Sequence, residues 1–139
     1  MSARRSQATI DPTPVQLRRL ASATDSGPIV MVNLLRFRDR AAGEGAGVSG
    51  YEAYARYAAA VAPLLERVGG RLLAAAGCEE SVIGPDESEW DLVALVEYPS
   101  RAAFLEMVTS PEYGEIAGHR ADALADSRLT LARHAPSLG

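Results

Sequence analysis

The segment from Gly27 to Phe37 (GPIVMVNLLRF) constrains this chain most, because it has the composition of a strand that is apolar on both faces. Successive side chains of a strand point to opposite faces of a sheet. One face would carry Ile29, Met31 and Leu35, and the other Val30, Val32 and Leu34. A half-exposed strand alternates apolar and polar residues, so both faces of this sheet must be covered.

Caps, breakers and apolar periodicity predict the remaining elements. We expect helices at 13–23, 49–68, 101–108 and 111–125, and strands at 29–37, 71–76, 90–98 and 129–134, with room for a short extra strand at 81–83. Residues 1–12 are expected to be a disordered tail and residues 13–139 a single domain. The order is that of the α+β ferredoxin-like βαββαβ fold, an antiparallel sheet with one extra N-terminal helix.

Helices of this fold cover one face of the sheet only. The opposite face of the first and third strands would then expose an apolar patch that a monomer rarely leaves in water. Packing two such sheets across a twofold axis covers both patches. The sequence therefore predicts a homodimer, a dimeric α+β barrel.

Composition excludes several classes of function. A net charge of −4 argues against binding to nucleic acid, which needs clustered basic residues. No apolar run is long enough to span a bilayer. The lone Cys78 rules out an internal disulfide and a thiolate metal cluster, and it fits the reducing cytoplasm. No phosphate loop, nucleophile elbow or metal-ligand cluster is present, so we expect no cofactor and no metal.

Several short motifs also make the chain resemble a domain-of-unknown-function family of the dimeric α+β barrel superfamily. They are Val32-Asn33-Leu34, Gly69-Gly70-Arg71, Trp90-Asp91, Tyr98-Pro99-Ser100, Ser110-Pro111-Glu112-Tyr113 and Arg120. The resemblance implies a homodimeric ferredoxin-like barrel and brings no reaction with it. Superfamily relatives include cofactor-free monooxygenases, cyclases, isomerase-like proteins and haem-degrading proteins, an analogy at the level of fold alone.

Arg120 is the sharpest candidate for a functional residue, because it falls in the middle of the apolar face of its helix. A guanidinium that faces a core stays charged and needs a partner. One interpretation is an internal ion pair with Glu97 or Asp91 of the third strand. The other is a clamp for a ligand carboxylate or enolate, since the planar guanidinium suits bidentate contact.

Two polar residues interrupt the first strand. Asn33 shares the face of Met31 and Leu35, where it either holds a neighbouring backbone group or donates to an oxyanion in a dry pocket. Arg36 lies on the opposite face, at a pocket mouth or in an interface salt bridge. Because the two point to opposite faces, only one of them can line a given pocket, and Asn33 is the expected one.

Tyrosines and a histidine are the candidate proton-transfer groups. Tyr54 and Tyr57 lie on the apolar face of the second helix, as core residues with satisfied hydroxyls or as pocket residues that orient ligand or move a proton. Tyr113 admits the same two interpretations. His119, one of two histidines, is either a solvated helix-face residue or a general base.

These residues leave three functions open. The first is a cofactor-independent enzyme acting on a small apolar organic acid or carbonyl compound, by proton transfer, isomerisation, cyclisation or oxygenation. Arg120 or Asn33 would bind oxygen, Tyr54 or His119 would move protons, and the Gly-rich loop at 39–50 would close over the ligand. The second is a non-catalytic dimer that binds a small ligand. The third is a purely structural or interaction role.

Overall fold

The computed structural model describes residues 8–43 and 46–138 of the chain. Along the chain these form α1 (Pro14–Ser22), β1 (Ile29–Phe37), α2 (Gly50–Arg67), β2 (Arg71–Gly77), β3 (Leu92–Tyr98), α3 (Arg101–Val108), α4 (Pro111–Ala123) and β4 (Leu124–Ala132). The βαββαβ order and the additional helix α1 confirm the predicted α+β ferredoxin-like fold.

The four strands form one antiparallel sheet in the order β2-β3-β1-β4. The central strand β1 pairs with β3 on one side and with β4 on the other. Strand β2 lies at an edge, as its small side chains predicted, and all seven of its residues are exposed. Strand β1 is therefore paired along both of its edges and lies inside the sheet.

Two expectations about the strands were wrong. No strand forms at 81–83, where Val82 and Ile83 are exposed in an irregular excursion. Strand β4 begins at Leu124 rather than at 129, because its polar first half pairs with β1 through to Phe37. Of the predicted disordered tail, residues 1–7 lie outside the described residues, whereas Thr9 is hydrogen-bonded to β4.

Local sequence signals explain where the helices begin. The hydroxyls of Thr13, Ser49, Ser100 and Ser110 each accept a hydrogen bond from a backbone N–H in the first turn of the following helix. The first residue of α2, Gly50, also permits a close approach, since a Cβ there would lie 2.2 Å from the carbonyl oxygen of Arg38. The start of α2 is thereby placed against the end of β1.

Buried side chains form two clusters on the helix-facing side of the sheet. One contains Ile29, Met31, Leu64, Tyr98, Phe104 and Met107. The other contains Leu35, Ala41, Ala53, Ala123 and Leu124. On β1 the first cluster ends at Met31 and the second begins at Leu35, so Asn33 lies between them on the same face.

The opposite face of the sheet is apolar as well. Its residues on β1 and β3 include Val32, Leu34, Val93 and Leu95, which pair across the two strands and are only half-buried. The four helices lie on the other side, where each contributes residues to the cavity described below. This second face is therefore the patch that the sequence predicted to need covering.

Candidate functional site

A cavity of about 1330 Å³ separates the sheet from the helices and lies between the two buried clusters. At the level of Asn33, the sheet forms the floor of this cavity through one row of side chains that runs across the four strands. The paired residues of this row are Ala75 on β2, Ala94 on β3, Asn33 on β1 and Leu129 on β4. The two alanines are too small to reach the helices, so the sequence itself leaves this space unfilled.

Helices α2 and α4 form the roof of the cavity and run antiparallel. The start of α2 faces the end of α4, because Gly50 approaches the carbonyl oxygen of Ala123. At the other end, Arg67 of α2 forms an exposed ion pair with Glu112 of α4. Their cavity-lining residues are mostly apolar or aromatic and include Tyr54, Ala58, Val61, Tyr113, Ala117 and Arg120.

Arg120 reaches the cavity but does not form the ion pair considered from the sequence. One terminal nitrogen donates to the backbone carbonyl of Ile10 at 2.5 Å, and the other donates to the hydroxyl of Ser127 at 3.4 Å. Glu97 pairs instead with Arg71 and His134. Asp91 accepts the backbone N–H of Phe37. Among the described residues, no carboxylate lies within ion-pair distance of Arg120.

The segment preceding α1 closes one side of the cavity. The sequence predicted instead that the Gly-rich loop at 39–50 would close over the ligand. Residues 9–13 line the cavity, and Thr9 exchanges two 2.6 Å hydrogen bonds with Ser127, one in each direction. The described residues of loop 39–50 are not among the lining residues. They hydrogen-bond instead to the junction of α4 and β4, as in the bond from the N–H of Ala42 to the carbonyl of Asp122.

Tyr57 and Tyr113 bring their hydroxyl oxygens to 2.9 Å across the α2–α4 contact. Tyr57 is buried and Tyr113 half-buried, and both line the cavity. Burial and the neighbouring Tyr113 raise the pKa of the Tyr57 hydroxyl far above its usual value. The Tyr57 hydroxyl is therefore paired, and the residue also lines the cavity.

Asn33 and Tyr54 also line the cavity, from its floor and from its roof. The amide nitrogen of Asn33 donates to the carbonyl of Met31 on the same strand, at a rather long 3.3 Å. Burial raises the pKa of Tyr54, an effect that the positive charge of Arg120 partly opposes. At neutral pH the Tyr54 hydroxyl is therefore protonated and available as a hydrogen-bond donor.

Arg36 and His119 lie outside the cavity. Arg36 is on the opposite face of β1, where its Nε donates to the carbonyl of Glu89 and its guanidinium lies 5.9 Å from the centre of the Trp90 ring. His119 is half-buried on α4 and is not among the cavity-lining residues. Neither residue is placed to contact a ligand that occupies the cavity.

Ser127 and Ile10 are site residues that the sequence did not reveal. Ser127 is 4% exposed and lies on the cavity face of β4, opposite Leu35. The sequence did not reveal Ser127 because β4 was expected to start at residue 129, two residues after Ser127. Ile10 acts through its backbone carbonyl, which no side-chain pattern signals. The single isoleucine within a polar segment was the one available sign that this segment packs against the domain.

Metal-ligand clusters and membrane-spanning helices are both absent from the described residues. They contain no group of three or more histidine, cysteine, aspartate or glutamate side chains placed to hold a metal. No helix in the described ranges combines the length and apolarity needed to cross a bilayer. The polar groups that line the cavity include hydrogen-bond donors and four arginines, Arg19, Arg101, Arg120 and Arg128, and such groups suit an oxygen-bearing organic ligand.

Comparison with known proteins relates this geometry to solved structures. The chain is 40% identical to RPA0582 of Rhodopseudomonas palustris, a protein of unknown function, over 93% of this chain and 98% of that one, with a TM-score of 0.86. A structure of methylated RPA0582 gives 40% identity, coverage of 94% and 97%, and a TM-score of 0.87. At3g17210 of Arabidopsis thaliana, 15% identical over 77% of this chain and 95% of that chain, is similar in fold alone, with a TM-score of 0.52.

No curated protein matches the chain. A family model described as a domain of unknown function, DUF1330, matches residues 46–134, which include both roof helices of the cavity. That range covers more than half of the chain and contains Tyr54, Tyr57, Tyr113 and Arg120. The chain therefore belongs to the DUF1330 family.

Proposed function

We propose that the protein acts, as a homodimer and without a cofactor, on a small, largely apolar organic acid or carbonyl compound bound in the cavity. The observation that carries this proposal is the position of Arg120. Its guanidinium lies at the wall of a mostly apolar cavity, and its hydrogen bonds go to neutral groups, the carbonyl of Ile10 and the hydroxyl of Ser127.

A half-buried positive charge with neutral partners is a binding position for an anion. Apolar surroundings lower the local dielectric and strengthen the attraction between Arg120 and a carboxylate or enolate. The planar guanidinium also matches the two oxygens of a carboxylate. Because the remaining walls are mostly apolar, the body of the ligand should be apolar as well.

The cavity donors suit reactions in which negative charge develops on an oxygen. Tyr54 and Asn33 can donate to an oxyanion, and preorganised donors of this kind contribute much of the catalysis in acyl and enolate chemistry. The raised pKa of Tyr54 keeps its proton in place for such a bond. Proton transfer, cyclisation and oxygenation through an enolate all belong to this class.

The proposed homodimer rests on the second apolar face of the sheet. Val32, Leu34, Val93 and Leu95 are half-buried in one copy, and a second copy packed through the same face would remove them from water. The proposed compartment is the cytoplasm, because the exposed Cys78 has no disulfide partner.

A second candidate function is non-catalytic binding of the same class of ligand. It is favoured by the scarcity of proton acceptors at the cavity. His119 lies outside it, and among the described lining residues the only carboxylate is that of Asp11, which is exposed. An enzyme with these cavity residues would have to transfer a substrate proton to water or to Asp11.

A thermal-shift screen tests the anion site. Aromatic and keto acids would be compared with their carboxamides, on the wild type and on Arg120→Gln. We expect the acids to raise the melting temperature of the wild type, the carboxamides to have little effect, and the substitution to remove the difference. Equal shifts from acids and carboxamides, or acid shifts that persist in Arg120→Gln, would refute the anion site.

Hydrogen–deuterium exchange on a bound keto acid separates the two functions. With phenylpyruvate in D₂O, we expect the wild type to accelerate exchange of the protons next to the keto group, as seen by NMR. Tyr54→Phe should slow this exchange while leaving binding in place. Binding without accelerated exchange would favour the non-catalytic function.

A further inference from the structure

We infer that the paired hydroxyls of Tyr57 and Tyr113 form a second oxygen-binding position in the cavity. The ligand would then be a bifunctional organic acid, with a hydroxyl or carbonyl oxygen about two helical turns from its acidic group. This inference rests on the proposed function, since the acidic group is the one that Arg120 would bind.

The spacing of the two positions follows from α4. Tyr113 and Arg120 are seven residues apart on this helix, and both line the cavity. Seven residues bring the chain back to nearly the same face and advance it by roughly 10 Å along the axis. The Cα atoms of Tyr113 and Arg120 are therefore separated by about that distance along one wall of the cavity.

The hydroxyl pair has unused hydrogen-bonding capacity. Each hydroxyl offers one proton and two acceptor sites, and the single bond between Tyr57 and Tyr113 uses one of the two protons. Within the described ranges, neither hydroxyl oxygen has another protein partner. One O–H thus remains to donate at the cavity, where burial without a partner is costly and a ligand oxygen would satisfy it.

The charge environment favours a neutral oxygen at this position. Of the charged side chains in the described ranges, Arg120 alone acts on the pKa of Tyr57, and its effect is smaller than that of burial. A second carboxylate here would lie in a largely apolar site without a cation of its own. A ketone, phenol or alcohol oxygen would accept the spare proton without that cost.

The wall between the two positions is apolar. Ala117 of α4 and Ala58 of α2 are small and line the cavity, as does Ala94 on its floor. The rings of Tyr54 and Tyr57 lie 5.4 Å apart and add an aromatic surface. A flat or extended hydrocarbon body would fill this space, with an oxygen function at each end.

Three matched probes test the inference by titration calorimetry. 4′-Hydroxybiphenyl-4-carboxylate carries its two oxygen groups at opposite ends of a rigid body of about the required length. Biphenyl-4-carboxylate lacks the hydroxyl, and 4-hydroxybiphenyl lacks the acid. The proteins compared are the wild type, the double variant Tyr57→Phe/Tyr113→Phe, and Arg120→Gln. Replacing both hydroxyls leaves no unpaired partner, so the double variant should remain folded.

We expect the wild type to bind the hydroxy acid about fivefold to tenfold more tightly than biphenyl-4-carboxylate, the usual effect of one hydrogen bond. The double variant should bind both acids equally, at the wild-type affinity for biphenyl-4-carboxylate. Arg120→Gln should weaken the binding of both acids by the same factor.

A hydroxyl that brings no gain in affinity, or a gain that survives in the double variant, would overturn the inference while leaving the anion site intact. Failure of both acids to bind the wild type would overturn the proposed function and the inference together.

Discussion

Arg120 of α4 donates to the backbone carbonyl of Ile10 at 2.5 Å, and so joins the helix roof of the cavity to the segment that precedes α1. The guanidinium proposed to bind a ligand thus already holds part of the cavity wall. A carboxylate bound by both terminal nitrogens would share these nitrogens with Ile10 and Ser127. Ligand binding and the position of residues 9–13 should therefore be linked.

Substituting Arg120 should cost only moderate stability. Its two hydrogen bonds go to neutral groups, so Arg120→Met leaves no carboxylate uncompensated. We expect the free energy of unfolding to fall by about 1–3 kcal/mol, the range for hydrogen bonds to a charged group, and not by the 3–5 kcal/mol of a broken buried ion pair. Urea unfolding at neutral pH measures the difference.

Ser127→Ala provides the matched control for that measurement. It removes the hydroxyl that accepts from Arg120 and donates to the carbonyl of Thr9, while the guanidinium stays in place. We expect a loss of about 1–2 kcal/mol, because the carbonyl of Thr9 loses its donor. A loss above about 4 kcal/mol for Arg120→Met would mean that the arginine is half of a buried ion pair.

The hydroxyl pair of Tyr57 and Tyr113 should show coupling in a double-mutant cycle. Either single change to Phe leaves one hydroxyl without its partner, which we expect to cost about 1 kcal/mol. The double change removes both polar groups together and should cost little more than one single change. Urea unfolding of the four proteins therefore gives a coupling energy of about 1 kcal/mol. Strictly additive losses would show that the 2.9 Å contact contributes nothing to stability.

The proposed homodimer predicts that a charge on the second sheet face disrupts assembly. Val32 lies in the middle of β1 on that face and is half-buried. We expect Val32→Lys to convert a dimer to a monomer in sedimentation velocity at micromolar concentration, because a buried interface would have to desolvate the ammonium group. The fold should survive, as judged by circular dichroism.

The control for this experiment is Val82→Lys, in the excursion between β2 and β3. Val82 is 88% exposed, so a lysine there adds the same charge without entering the sheet face. It should leave the dimer intact. A wild type that sediments as a monomer would contradict the argument from the two apolar faces of β1.

Much of the fold was predictable because its signals are local. The apolar strand β1 and the caps at Thr13, Ser49, Ser100 and Ser110 fixed the order of elements, and periodicity placed Tyr54, Tyr57 and Arg120 toward the sheet. Each of these signals depends on residues close together in the chain. The alternation of β1 also assigned Asn33 and Arg36 to different faces, as found.

The partners of those side chains were not predictable because they depend on contacts between distant segments. Arg120 binds the carbonyl of Ile10, 110 residues away, and any residue type supplies a carbonyl. Glu97 and Asp91, the acids considered as ion-pair partners of Arg120, do not pair with it for a related reason. Both acids have partners elsewhere in the sheet. The sequence did not predict the early start of β4, because the first half of this strand is stabilised by pairing with β1 and not by an apolar pattern of its own.

Acid sensitivity should depend in part on Glu97. Hydrogen bonds from His134, and then from Arg71, hold its pKa below the usual 4.5. A lowered pKa in the folded state means that the stabilisation is complete above pH 4.5 and is lost as the pH falls through the lowered value. We expect Glu97→Gln to narrow the difference in urea midpoint between pH 6 and pH 3. The matched control is Glu66→Gln on α2, because Glu66 is exposed and forms no ion pair with the described residues.

Alkaline conditions should destabilise the fold through its buried tyrosines. Burial raises the pKa of Tyr54, Tyr57 and Tyr98 above 10.0, and Tyr113 adds to the effect on all three. For groups whose pKa is raised by folding, the stabilisation is complete below the unfolded value and is lost as the pH rises beyond it. We therefore expect the free energy of unfolding to fall above pH 10. The absorbance of tyrosinate should also show that these three of the five tyrosines ionise only together with unfolding. Ionisation of all five in a protein that keeps its circular dichroism would contradict the burial of these rings between the sheet and the helices.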